Sequence, residues 1–428
     1  MRSQNYKKLT IIEYNPHNLN THPFHITYTQ ATDNSVKLAI DSVFANFFNF
    51  LNFNKYILSK VEIKIGNEDD CQFNLSKIFI HNFLTQEFHH SKWFNDSPII
   101  KENGAQDVLG TCFYMINCLQ EYAGSPLDYL GRFDYEHSYQ AKFRCAEDHL
   151  VLMYFQEMAK VIFGSPIPLQ QSQYLLSHDI DALHSSWKEE LKKQIKNFSF
   201  IQATKTIIAR IQGRDEWQNI QNILEDEIRL EMPSTFFWLA KKGDTKYKGV
   251  KNADYHIEEP YVKNCLSSIE SASLHQNGLH KSISSLSFEE ELSKLPATTI
   301  NRFHYLKFNI PKDFQVLSDS KITADYSLGF SKNIGFRNSY GLPFIPFNPI
   351  TLSYYKFTAY PLHLMDSSLF YYMNCQTNEA MFDSVASFIE KHSQSTVISV
   401  LWHNNFYQKK DYPRLLQMIK KNLTQIMQ

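Results

Sequence analysis

The hydrophobic positions change rhythm part-way along the chain. Up to about residue 165, the short runs LTIIEY, FHITYT and KVEIKI predict β-strands, and SVFANFFNFLNF has a helical pattern. Two stronger helices follow, DVLGTCFYMINCLQEY and EDHLVLMYFQEMAKVIF, with the polar stretch GSPLDYLGRFDYEHSYQ between them. A smaller α+β domain over residues 1–165 is the expectation. The segment from Gly164 to Gln173, GSPIPLQQSQ, mixes two prolines with polar residues and predicts a linker over 166–173.

From residue 174 to 428 apolar strands alternate with amphipathic helices. YLLSHDID precedes a Lys-rich helix from about Trp187, and STFFWLA precedes a helix from about Glu258 to His275. Between them GDTKYKGVKNADY reads as a charged, exposed insertion. GLH, the helix SFEEELSKL with a Ser287–Glu290 capping box, TTINRFHYLKF, TADYSLGF, STVISVLWHN and a closing PRLLQMIKKNL helix complete the series. This alternation predicts an α/β fold with a parallel sheet, either a barrel or an open doubly wound sheet. In both, active sites gather at the carboxyl ends of the strands.

Composition narrows the function. Lys plus Arg number 43 against 44 for Asp plus Glu, a net charge of -1, which speaks against a nucleic-acid partner. No stretch approaches the roughly 20 apolar residues of a membrane span. The start, MRSQNYKKLTIIEYN, has no apolar signal core, so a cytoplasmic location is expected. Six cysteines, Cys71, Cys112, Cys118, Cys145, Cys265 and Cys375, form no C-x-x-C and predict buried reduced thiols. No G-x-G-x-x-G or G-x-x-x-x-G-K-[ST] occurs, which removes the usual nucleotide sites. The 33 Phe and 24 Tyr point to an aromatic core, with enough left over to line a sugar cleft.

The chemistry sits where apolar runs end. Asp179-Ile180-Asp181, Arg302-Phe303-His304 and Leu401-Trp402-His403 each place two residues on one side of a strand, and a fourth run ends at Leu279-His280. Together they offer two carboxylates, three imidazoles, a guanidinium and a leucine to one rim. Taken singly, each has a bland reading. The D-x-D is often a cap or turn, Arg302 an ion-pair partner, His304 a ring stacked on Tyr305, and His280 and His403 buried hydrogen-bonded imidazoles. Joint position favours a divalent ion, an acidified water, a carboxylate base and a histidine acid, hence hydrolysis of an amide or ester. In the first region Asp107, Glu121, Tyr122, Asp128 and Arg132 could form a polar site, but they read more simply as capped and solvated helix ends.

In this order, LLSHDIDALH, STFFWLA, NGLHKSIS, NRFHYLKFNIP, DYSLGFSKNIGFRNSYGLPF, PLHLMDSSLFYY and ISVLWHNNFY resemble the polysaccharide deacetylase family with the NodB homology domain. The likeness covers residues 174–428 and is nearest to a bacterial branch with an N-terminal accessory domain. It implies a distorted (β/α) barrel, a divalent metal expected to be zinc, and removal of acetyl groups from sugars or oligosaccharides. By motif, Asp179 would be the general base, Arg302 its orienting arginine and His403 the general acid. Asp181 and His280 would hold the metal. Leu401 would line the acetyl-methyl pocket, and Tyr305, Asp325 and Arg337 would be substrate contacts or supports behind them.

Two positions depart from the family pattern. Ser284 stands where a second metal histidine is usual, and His304 stands in the R-x-P-[YF] motif where proline is usual. Loss of one imidazole beside the gain of another makes His304 the replacement ligand. Ser284 also leaves open a carbohydrate-binding protein without catalysis, and the barrel leaves open an amide hydrolase on a non-sugar substrate. A homo-oligomer formed through the first region is a further expectation.

Overall fold

The computed structural model describes residues 22–423 except 67, 197, 199, 212–214, 376, 409 and 410. The LTIIEY run lies outside the described residues. Strands β1 (Phe24–Tyr28) and β2 (Val61–Ile65) pair in parallel, and helix α1 (Asn34–Phe53) crosses between them. Asp33 starts α1 by accepting the Ser35 amide, and Val36, Ile40, Phe44, Phe47 and Leu51 bury one face of it. Asp107 caps helix α2 (Val108–Ile116) through the Gly110 amide. The expected long helix breaks there: Cys118 adopts φ 53, and Leu119–Tyr122 forms only a separate single turn. Helix α3 (Leu150–Phe163) stops where Gly164 takes φ 80, a left-handed cap that glycine adopts without a Cβ clash.

The 164–172 stretch has no helix or regular strand, but it is fastened. Ile167 is buried in the core, the Gln170 amide donates to Asn54 Oδ1, and Ser172 Oγ donates to the His392 carbonyl.

The elements that follow, in chain order, are β3 (Gln173–Ile180), α4 (Ser186–Lys196), α5 (Phe200–Ile211), α6 (Ile220–Arg229), β4 (Ser234–Leu239), α7 (Pro260–Ser271), β5 (His275–Lys281), α8 (Phe288–Leu292), β6 (Ile300–Phe303), α9 (Lys312–Asp319), β7 (Ala324–Asp325), β8 (Thr358–Ala359), β9 (Leu364–Met365), α10 (Asn378–Lys391), β10 (Val397–Leu401) and α11 (Tyr412–Leu423). Eight of these strands form one all-parallel sheet in the order β8-β7-β6-β5-β4-β3-β10-β9. The two edge strands are joined by only four residues, 360–363, which span at most about 18 Å. The sheet must therefore curl on itself, consistent with a distorted barrel. Helix α8 carries both halves of the expected capping box, Ser287 to the Glu290 amide and Glu290 back to Ser287.

Two further sequence expectations need correction. Helix α7 ends at Ser271, because His275 already belongs to β5 and pairs with Ser234. The GDTKYKGVKNADY insertion is largely exposed only to Gly249. Val250, Asn252, Ala253 and Tyr255 are buried, which packs its second half into the molecule.

One hydrophobic core runs from Phe24, through α1, α2 and α3, to Phe303, Phe308, Phe314, Phe344 and Ala359 beside the curled sheet. A second fills the space between the sheet and α6, α7, α10 and α11, around Ile180, Phe236, Trp238, Ile398 and Leu415. All the expected thiols are free, and all but Cys71 are buried. Among the described residues, no helix is long and apolar enough to cross a membrane.

Candidate metal centre

Parallel pairing brings the predicted strand ends to one place. His280 lies in register with Arg302 across β5 and β6, and Asp179 is two strands away at the end of β3. Asp181 Oδ1 lies 3.4 Å from His280 Nε2 and 3.5 Å from His304 Nε2, and one ligand atom from each of the three lies within 4.8 Å of the others. His280 Nδ1 is 2.9 Å from the Arg302 carbonyl, and His304 Nδ1 is 3.4 Å from Asn252 Oδ1. A carbonyl only accepts, so these contacts place the ring protons on Nδ1 and leave both Nε2 lone pairs facing Asp181. Asp181 Oδ1 and His304 Nε2 are buried with no hydrogen-bond partner. With both rings neutral, three electron-pair donors converge on one point, a set that fits a divalent cation.

Ser284 does not join them. Its hydroxyl meets Ser282 Oγ at 2.8 Å and donates to Glu291 Oε1 at 3.2 Å, in a cluster that also holds the buried Lys281–Glu291 pair at 2.6 Å.

Beside the triad, Arg302 is fully buried. It donates from Nη1 to Asp179 Oδ1 at 2.8 Å, from Nη2 to Ser177 Oγ at 2.9 Å and from Nε to the Tyr326 carbonyl at 3.0 Å. The other Asp179 oxygen lies 3.3 Å from His280 Nε2. Burial opposes ionisation of Asp179, but Arg302, with His280 and His403, outweighs it and holds the carboxyl below its ordinary value. Asp181 is likewise held well below: burial works against its charge, and the His304 and His280 rings overcome it when they are protonated.

His403 stands opposite. Its Nδ1 is 2.6 Å from Asp366 Oδ1, and its backbone amide donates to Asp366 Oδ2 at 2.6 Å. Burial alone would lower this imidazole, but Asp366, with Asp181 and Asp179 beyond, pushes it up to about 10. His403 is therefore a proton carrier at neutral pH, with Nε2 3.8 Å from Asp181 Oδ2.

Asp179, Asp181 and His403 line an open cleft with Tyr305, Leu306, Met365, Phe406, Tyr371 and Tyr372, and with Arg132 from the first region. The other sequence candidates lie elsewhere. Leu401 is buried one layer back, packed with Leu306 and Met365, which do line the cleft. Asp325 is fully buried and bound by Asn301 and Ser327, and burial raises its carboxyl to about 6. Arg337 is closed off in a pair with Glu121. Neither Asp325 nor Arg337 reaches the cleft, because each is used up by internal partners. Sequence reasoning missed Asp366 and the cleft role of Arg132. The one signal for Asp366 was an acidic residue directly after the apolar pair Leu364-Met365.

Comparison with known proteins adds little. Residues 12–164 match the model of a family of unknown function, DUF7033. No curated protein matches the chain. A solved structure described as a "putative polysaccharide deacetylase from Mycobacterium smegmatis" aligns with 10% identity and a TM-score of 0.35, over 59% of this chain and 84% of that one. A likeness that slight does not decide the activity.

Proposed function

We propose that the protein is a metal-dependent hydrolase that removes an acetyl group from an N-acetylated sugar. The observation that carries the reading is the convergence of Asp181, His280 and His304 on one point, with Asp179 and His403 flanking it. The sequence likeness to the NodB-type deacetylases names the reaction, and the tyrosines at the mouth, Tyr305, Tyr371 and Tyr372, suit the stacking face of a sugar ring.

Asp181, His280 and His304 would hold the cation, with zinc the choice for two imidazoles and one carboxylate. When bound, it acidifies a water and polarises the acetyl carbonyl. Asp179, kept ionised and aimed by Arg302, takes the proton from the attacking water. His403, kept protonated by Asp366, gives its proton to the departing amine nitrogen. Leu306 and Met365, backed by Leu401, offer the apolar surface for the acetyl methyl.

Metal analysis and turnover test this together. Asp179→Asn and His403→Ala each lower kcat by about 10²–10⁴-fold on acetylated sugars while metal content stays. His304→Ala strips the metal, and Ser284→Ala leaves it in place. Full metal content in His304→Ala ends the ligand assignment. Retained turnover in either Asp179→Asn or His403→Ala ends the acid–base one. A metal-free wild type that still binds glycans would make the protein a lectin-like binder.

A further inference from the structure

Helices α4 and α5 leave the rim of the cleft as a hairpin, packed on each other and tied by Thr206 Oγ1 donating to Gln194 Oε1 at 3.0 Å. The hairpin's root is fixed to the site. Asn404, the neighbour of His403, donates from Nδ2 to the Ala182 and Trp217 carbonyls, both at 2.9 Å, one residue past Asp181 and just beyond the hairpin's return. The Glu216 amide donates to Ser186 Oγ at 3.2 Å and closes the base.

The far end has a different character. Ile195, Phe198 and Ile201 cluster in sequence around the turn and are 55%, 80% and 78% exposed, with Ile207 and Ile208 also open further down α5. Lys188, Lys192 and Lys196 recur at four-residue spacing on α4 and are all exposed, as is Lys205 on α5. Residues 186–214 hold seven Lys or Arg against two Glu, in a chain whose net charge is -1. So a strongly basic, apolar-tipped element stands on a nearly neutral protein.

We propose that this hairpin docks the protein on the surface of an anionic lipid bilayer. Phe198, Ile195 and Ile201 enter the boundary between headgroups and acyl chains, and the α4 lysines meet the lipid phosphates. A second copy is the poorer occupant, because it would bring the same cations face to face. Apolar side chains at a projecting tip, with cations running alongside, suit a plane of negative charge. The eleven residues of α4 place the tip about 16 Å from the root. Docking does not depend on what reaction the cleft performs.

Sedimentation of the full chain with vesicles tests the proposal. The probes are phosphatidylcholine alone and phosphatidylcholine with about a third phosphatidylglycerol. The wild type should pellet with the anionic vesicles only, and less so as salt is raised. Phe198→Asp with Ile201→Asp, and separately the triple Lys188→Glu, Lys192→Glu, Lys196→Glu, should each weaken binding by about tenfold or more. All five positions are exposed, and unchanged circular dichroism and melting serve as the folding control. No pelleting of the wild type, equal binding to neutral vesicles, or variants that pellet like the wild type would each overturn it. So would a dimer that disappears in the Phe198→Asp, Ile201→Asp protein while vesicle binding is absent.

Discussion

Two buried arginines carry much of the charge chemistry of this molecule, and they serve different regions. Arg302 and Arg337 are 0% and 2% exposed, and each lies over a phenylalanine ring, Phe237 at 4.4 Å and Phe308 at 4.5 Å. Arg302 meets one oxygen of Asp179 and leaves the other beside His280 at the cleft. Arg337 grips both oxygens of Glu121, from Nε at 2.8 Å and Nη2 at 2.7 Å, and gives Nη1 to the Gly329 carbonyl. Burial and pairing are alike; what differs is whether a carboxylate oxygen remains for other work. Arg302 belongs to a site, whereas Arg337 belongs to the seam between residues 22–164 and the curled sheet. Tyr139 meeting Ser339 at 2.7 Å and Gln140 donating to the Arg337 carbonyl continue that seam.

The largest effect that would sharpen this contrast is on stability. Glu121→Gln leaves the Arg337 guanidinium buried without its counter-charge, which costs about 3–5 kcal/mol. Urea unfolding should show the loss, while turnover per folded molecule holds. A stable variant with turnover abolished would move Arg337 from seam to site.

The same seam should titrate. His149 from the first region, with His363 and His392 from the second, surrounds the Phe336 ring at centroid distances of 5.0, 4.6 and 4.8 Å. Burial holds all three below the usual histidine value: His363 down to about 3, His392 to about 4, and His149 well below. The unfolded chain takes up these protons near pH 6.5, and the folded chain does not until far lower. The stability they protect is therefore complete above about pH 6.5 and lost as pH falls towards 4, at up to about 1.4 kcal/mol per pH unit for each ring. Urea midpoints measured between about pH 7 and 5 check this. In His363→Asn, the side-chain oxygen can still accept from the Ser399 amide, the bond His363 Nδ1 makes at 3.1 Å. The slope should flatten in that variant, and an unchanged slope would take His363 out of the account.

Much of the site was legible because strands impose a two-residue period. D-I-D, R-F-H and L-W-H at the ends of apolar runs placed Asp179, Asp181, Arg302, His304 and His403 together from the pattern alone. What a sequence does not display is which distant group consumes a charge. Arg337 could be read as a substrate contact or a support because its partner Glu121 is 216 positions away. For Asp325 the substrate-contact alternative falls in the same way and the supporting one stands, its carboxylate taken by Asn301 and Ser327. Asp366 escaped notice because the strand before it, β9, is two residues long and gives no period to read. The break at Cys118 had no local cause in Gly or Pro for a reader of the sequence to find.

Arg132 offers the finest cut between the two regions, since it comes from the first and lines the cleft of the second. Its Nε donates to Asp128 Oδ2 at 2.7 Å, Nη2 lies at the same distance from that oxygen, and Nη1 donates to the Tyr305 carbonyl at 2.9 Å. That carbonyl belongs to a turn with Tyr305 at φ 58 and Leu306 at φ 50, left-handed conformations that cost non-glycine residues about 1–3 kcal/mol each. The turn comes directly after His304, and both of its residues line the cleft. Without Arg132 the turn relaxes, the Tyr305 ring and the Leu306 wall move, and substrate binding suffers before the chemistry does. Arg132→Ala should raise KM about tenfold, roughly 1.4 kcal/mol, with kcat changed less. Arg132→Lys should recover only part, because one ammonium cannot serve Asp128 and the Tyr305 carbonyl in the same fork. Metal content should hold in both variants, since Asn252 rather than Arg132 faces His304 Nδ1. A loss of metal in Arg132→Ala would show that the turn sets the ligand as well as the wall. Unchanged KM would leave the first region outside the cleft's work, and the contrast between site and seam would then coincide with the contrast between the two parts of the chain.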